Sequence, residues 1–190
     1  MQSLAAIKIL RDAWLSPARR DRFKSEQRML AQLNHPSIAR LYDADTLYIG
    51  VYAYDSEPDR IIKGAMSRDG NLGAGDLVRI FLDPGQTRRD GYSFEVGSAG
   101  GRRDALVQNN GDFIVQWDTI WNARTSIAAD GWIAEIAIPF RSLSYDRQRD
   151  AWGFDFTRAI RRKEERVRWT SYATPINLFD IKAMTLLRAG

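Results

Sequence analysis

Three tryptophans and a few polar side chains are the residues of this sequence best suited to hold a ligand. Trp117, Trp121 and Trp169 offer flat indole faces, while Asp76, Asn109, Asn122 and Arg158 offer carboxylate, amide and guanidinium groups. An indole packs well on an apolar ring face, and charged or amide groups reach the hydroxyls around such a ring. That combination suits a saccharide, whose pyranose has a CH face and a hydroxyl rim. Trp117 and Trp121 stand four residues apart, so within a strand they share one side. They form either core or an exposed platform. Trp132 and Trp152 each begin an apolar alternating run and read as core.

Other chemistries find less to work with. Asp43, Asp45, Asp55, Asp59 and Asp83 could furnish oxygens to a structural Ca²⁺, but they match no fixed-spacing loop and fit turn-forming roles. Zn²⁺ is not expected with one His and no Cys, and the single His35 offers no axial pair for haem. Glycoside hydrolysis needs two carboxylates across a cleft. Glu95, Glu135 and Asp155 lie in strand-like runs with no motif that singles out a pair. No cofactor and no catalytic site are expected.

The elements that would position these residues change texture along the chain. Residues 5–10, AAIKIL, make a short strand-like run. Ser16-Pro17 supplies an N-cap with proline at the first helical position, which predicts a helix over 17–33 that stops at Asn34-His35-Pro36. Beyond residue 44 the pattern becomes short and alternating. Residues 46–54 set Leu47, Ile49, Val51 and Ala53 against Tyr48, Gly50, Tyr52 and Tyr54. Further runs follow at 77–82, 92–96, 105–108, 120–127, 132–138, 152–160, 167–172 and 184–187, making nine strands. Asp69-Gly70, Asp83-Pro84-Gly85, Asp90-Gly91, Asn110-Gly111 and Asp130-Gly131 mark turns between them. Short strands with regular turn signals indicate an all-β antiparallel sandwich.

Composition agrees with one such domain and a short extension. The chain has 190 residues, 44% hydrophobic and 27% charged, with a formal net charge of +4. Its cations are scattered in pairs such as Arg88-Arg89 and Arg102-Arg103, whereas a nucleic-acid binder gathers them on one face or arm. Nucleic acid is therefore not an expected partner. No run approaches the ~18 apolar residues that span a membrane. The opening MQSLAAIKILRDAW lacks the basic start and unbroken apolar run of a signal peptide.

The blocks DTLYIGVYAYD (45–55), GDLVRIFLD (75–83), GYSF (91–94), WDTIW (117–121), DGWIAEIAIPF (130–140) and WGFDF (152–156) together resemble a family 9 carbohydrate-binding-like domain. The version they are similar to stands at the N-terminus of large uncharacterised bacterial envelope proteins. The resemblance covers about three quarters of the chain. It implies a jelly-roll-like β-sandwich over 37–190, a carbohydrate or glycoconjugate partner bound without catalysis, and a periplasmic or envelope setting. The alternative is a structural or protein-interaction domain with no sugar ligand. Two positions depart from the family pattern. The aromatic that precedes the GDLVRIFLD block is missing, and Arg79 stands where the family has a glutamate.

The first 43 residues resemble a piece of a bacterial serine/threonine protein kinase N-lobe. Ala6-Ile7-Lys8-Ile9-Leu10 resembles its lysine strand, Arg22-Phe23-Lys24-Ser25-Glu26 its glutamate helix, and the stretch from Asn34 to Asp43 the loop and strand that follow. The glycine-rich loop, the His-Arg-Asp loop, the Asp-Phe-Gly and the Ala-Pro-Glu are missing. Lys8 and Glu26 alone cannot position phosphates or stabilise their charge, so no kinase activity is expected. Residues 1–36 read as a strand–helix extension rather than a domain. Residues 38–42 are expected to pair antiparallel with 47–51 through an Asp43-Ala44-Asp45 turn, in a register that either buries or exposes Arg40.

Overall fold

The computed structural model describes residues 5–7, 46–146, 149, 151–170 and 185–188, the first and last of these segments as backbone strands. Eleven strands are present among the described residues: β1 (Ala5–Ile7), β2 (Thr46–Tyr54), β3 (Leu77–Asp83), β4 (Gly91–Gly97), β5 (Arg102–Gln108), β6 (Asp112–Ile114), β7 (Asn122–Ala128), β8 (Gly131–Pro139), β9 (Ala151–Ile160), β10 (Glu165–Arg168) and β11 (Thr185–Arg188). All pairings are antiparallel. One sheet runs β1-β2-β8-β7 and the other β10-β9-β3-β4-β5-β6, with β11 sharing the β10 edge of β9. The helical pieces among these residues are three-residue 3₁₀ turns.

Alternation builds the core. Leu47, Ile49, Val51 and Ala53 of β2 and Trp132, Ala134, Ile136 and Ile138 of β8 point inward from one sheet. Val78, Ile80 and Leu82 of β3, Phe94 and Val96 of β4, and Trp152, Phe154 and Phe156 of β9 meet them from the other. All are at most 4% exposed, and each large apolar side chain so buried contributes roughly 1.5–3 kcal/mol. β9 is buried at nine of its ten positions, with neighbours on both edges and the core beneath its inner face.

The turns carry the residues their geometry demands. Asn109 and Asn110 both adopt positive φ in the β5–β6 hairpin, as asparagine tolerates well. Gly131, which opens β8 after the β7 turn, has φ +154, and a Cβ there would sit 2.3 Å from the Ala53 carbonyl oxygen. Only glycine allows β2 and β8 to close at that point.

The nine expected strands are all present, with shifted ends. β1 agrees with the strand-like reading of AAIKIL and pairs with the middle of β2. Ala5, Ala6 and Ile7 pair with Val51, Gly50 and Ile49 on the edge of β2 not used by β8. Residues 38–42, the 17–33 helix, Lys8 and Glu26 lie outside the described residues.

Candidate functional site

The sequence-selected residues fall into three places. Asp76 and Arg158 meet at the end of the sandwich where β2 ends and β3 begins. Arg158 points inward from β9 and donates through Nη1 to the Tyr54 carbonyl oxygen at 2.7 Å, with Nη2 3.7 Å from Asp55 Oδ2. Arg162, just past β9, makes a bidentate pair with Asp55, both bonds 2.6 Å. Asp76 is fully buried and accepts the Arg161 backbone N–H at 2.9 Å. The Arg162 hydrogen bonds pull the Asp55 carboxyl down to about 2. Burial pushes the Asp76 carboxyl up and the Arg158 guanidinium down. This cluster joins the two sheets and is closed to solvent.

Trp117 and Trp121 stand elsewhere. Both lie in the irregular link between β6 and β7, so the shared side that a strand would give them does not apply. They nevertheless converge on Phe94, whose ring centroid is 6.4 Å from Trp117 and 5.1 Å from Trp121. Trp121 is 2% exposed under the Arg102 guanidinium, so the platform alternative fails for it and the core alternative holds. Trp117 is half-buried against Tyr92. Tyr92 pairs with Leu82 and Arg158 with Val78, four positions apart on β3, so about 13 Å separates these two groups along the strand.

The remaining candidates are dispersed. Trp169 is 50% exposed beside the β10 edge, its backbone N–H on the Phe156 carbonyl. Asn109 works as a turn residue, accepting from Arg89 and donating to Asp112. Asn122 is exposed at the start of β7 on the other sheet. Of the aspartates weighed for Ca²⁺, Asp55 is taken by Arg162, and Asp83 caps its turn by accepting the Thr87 and Arg88 N–H groups. Asp43 and Asp45 lie outside the described residues, among which no three side chains converge as metal ligands.

A solvent-open depression lies instead on the outer face of the larger sheet. It has a volume of about 150 Å³ and is lined by Arg79, Ser93, Glu95, Arg103, Asp104, Ala105, Phe113 and Val115. Cross-strand register assembles it, since Arg79 of β3 stands opposite Glu95 of β4, which stands opposite Arg103 of β5. Glu95 is 3% exposed, and its Oε1 accepts from Arg79 and its Oε2 from Arg103 Nε (2.9 Å) and Nη2. The Arg79 guanidinium lies 5.5 Å from the centroid of Phe113, which packs edge-on against Phe81. Burial, with Arg103 and Arg166 close by, pulls Arg79 down to about 9, so it keeps its proton at neutral pH. The arrangement offers an apolar ring, two guanidinium groups and the Ser93 hydroxyl around one pocket.

Arg79 and Glu95 lie in separate sequence blocks and are joined only by the register of β3 and β4. The signal was the period-2 alternation of β3, which sets Arg79 and Phe81 on the face opposite Ile80 and Leu82. A third surface, the outer face of β2, carries Tyr52 and Tyr54, but their rings stack on each other at 4.4 Å. The Tyr52 hydroxyl donates to Asp130, a hydrogen bond that pushes it up to about 12.

Comparison with solved structures agrees with the architecture. A Bacteroides uniformis protein described as a candidate carbohydrate-binding protein superposes with a TM-score of 0.58 at 15% identity, over 75% of this chain and 72% of that one. A family 9 carbohydrate-binding module from Caldicellulosiruptor kristjanssonii, in complex with glucose, gives 0.50 at 18% identity over 77% and 72%. Its cellotriose complex gives 0.50 at 18% identity over 78% and 71%. The kinase N-lobe resemblance of the first 43 residues finds no support among them. No protein-family model matches the sequence, and no curated protein matches it. This chain folds as an antiparallel β-sandwich of the kind those carbohydrate-binding modules use.

Proposed function

We propose that this protein is a non-catalytic carbohydrate-binding module whose site is the depression over Glu95. The observation that supports this is the open pocket itself, where Phe113 offers an apolar surface and Arg79, Arg103 and Ser93 offer polar groups. Two guanidinium groups held by one buried carboxylate are fixed in direction, so little ordering remains to be done on binding. Glu95 and Asp155 are each engaged by arginine on this face, and Glu135 is exposed on the other sheet, so these carboxylates do not flank a common cleft. Isothermal calorimetry of the chain against soluble glycans tests the reading. Saturable heat with at least one glycan, weakened tenfold or more by Phe113→Ala, is the expected result. No heat with any glycan sinks it.

A second reading is a protein-interaction or scaffold domain. Val115, which lines the depression, and Ile120, further along the same β6–β7 link, are 50% and 66% exposed and favour it. Under that reading the glycan panel stays silent while Ile120→Asp abolishes capture of the domain's partner.

A further inference from the structure

The outer face of the larger sheet carries a line of charge that the depression alone does not explain. Register places Arg168, Thr157, Arg79, Glu95 and Arg103 on one transverse rung across β10, β9, β3, β4 and β5. Adjacent strands are about 4.8 Å apart, so the rung spans about 19 Å, with an arginine on every second strand at intervals of about 10 Å. Arg166 lies one side-chain row away on β10, opposite Ala159. The carboxylates of this face sit beneath or at the end of the cations. Glu95 and Asp155 are 3% and 0% exposed and are held by Arg79 and Arg103, and by Arg168 and Thr170. Asp83, at the far end of β3, is taken up by backbone N–H groups, while Asp104, opposite the inward Phe94, turns to the other face and pairs with Arg68 at 2.8 Å. Among the described residues, four arginines therefore share two buried carboxylates on the rung and its neighbouring rows. The exposed Arg166 and the 35%-exposed Arg103 side chain lean toward solvent.

We propose that this rung selects an acidic saccharide, one bearing uronate carboxylates, and that the chain lies across the strands with Arg103 and Arg79 reading its charges. The inference rests on the carbohydrate-binding reading and adds the substrate class to it. Guanidinium groups match carboxylates in a bidentate fork, and an interval of two strands is close to the length of a disaccharide unit. The arginines are spaced apart rather than continuous, with the largely buried Thr157 between Arg168 and Arg79 and Glu95 between Arg79 and Arg103. That spacing suits separated carboxylates better than an unbroken cationic strip would. Burial is the main cause that pulls Arg79 down, and Arg103 and Arg166 add to it, a contribution in the direction of a local cation excess that a bound anion relieves. A neutral glucan would leave that excess where it is.

Calorimetry of the full chain at 0.15 M salt with hexagalacturonate, its methyl ester, cellohexaose, poly-glutamate and a DNA duplex decides the matter. The expected result is that hexagalacturonate binds at least tenfold more tightly than its methyl ester or cellohexaose. Arg103→Gln is expected to remove that preference without lowering the melting temperature by more than about 3 °C, and Arg124→Gln on the other sheet to leave it intact. Cellohexaose bound as tightly as hexagalacturonate overturns the acidic specificity and leaves carbohydrate binding standing. No saccharide bound at all overturns both. Equal binding of poly-glutamate or DNA overturns it in favour of a general polyanion surface. A preference that survives Arg103→Gln overturns its placement on this rung.

Discussion

Arginine meets carboxylate in two regions of this sandwich, and the cations of the two regions face different surroundings. At the closed end, Asp55 is held by Arg162 and approached by Arg158, whose side chains are 8% and 6% exposed. On the outer face, Glu95 is held by Arg79 and Arg103, whose side chains are 14% and 35% exposed. Both carboxylates are buried, so burial of the acid does not separate the regions. Exposure of the base does. Where the cations are sealed, the cluster ties β2 to β9 and keeps its unpartnered atoms, Asp76 Oδ2 and Arg158 Nε and Nη2, buried away from solvent. Where they grade outward, the same chemistry fixes guanidinium groups in direction while leaving one of them within reach of solvent.

Several measurements would break or sharpen this contrast. Arg162→Ala leaves the buried Asp55 without its bidentate partner, and removing one member of a buried pair costs about 3 kcal/mol or more. Urea denaturation reads that loss directly. Acid should act on the closed end in the same direction. The Asp55 carboxyl is depressed from 3.8 to about 2 by Arg162, so its stabilisation is fully present above pH 4 and is lost as pH falls through about 2. An acid titration followed by circular dichroism should show stability falling over that window in the native chain, and a flatter profile in Arg162→Gln. On the outer face, Arg103→Gln should cost less than about 1 kcal/mol, the scale of a partly exposed pair, while altering saccharide binding. If Arg103→Gln instead unfolds the domain as readily as Arg162→Ala, the two regions are alike and the contrast fails. The smallest effect is expected for Trp169→Ala, whose indole is 50% exposed, with a loss of about 1 kcal/mol or less in the same denaturation experiment.

Much of the fold was legible in the chain because strand alternation is a local signal. Residues 46–54 state their inward and outward faces residue by residue, and Asp130-Gly131 marks the turn into β8. Strands whose sequence is charged or very short were harder to read. β5 begins at Arg102-Arg103-Asp104, where polarity hides the strand until Glu95 and Arg68 are seen to pair with it. β6 has only three residues, too few to show a period. The candidate site was less legible still. Trp117 and Trp121 attracted attention by type and spacing, but spacing has a meaning only inside a strand, and the β6–β7 link is not one. Arg79, Glu95 and Arg103 stand far apart in sequence and meet only through the register of β3, β4 and β5, which no local pattern encodes.

The order of strands also sets how the chain must find its shape. β2 waits for β8, and β3 waits for β9, so each sheet joins residues from the first half of the chain to residues from the second. Closing such distant loops has to be completed before the contacts reward it, which places refolding on the millisecond-to-second scale rather than the microsecond scale of local structures. Until β8 and β9 arrive, the apolar faces of β2 and β3 have no lasting cover, and the unpaired edges are open to other copies. Dilute refolding should therefore give more native protein than concentrated refolding.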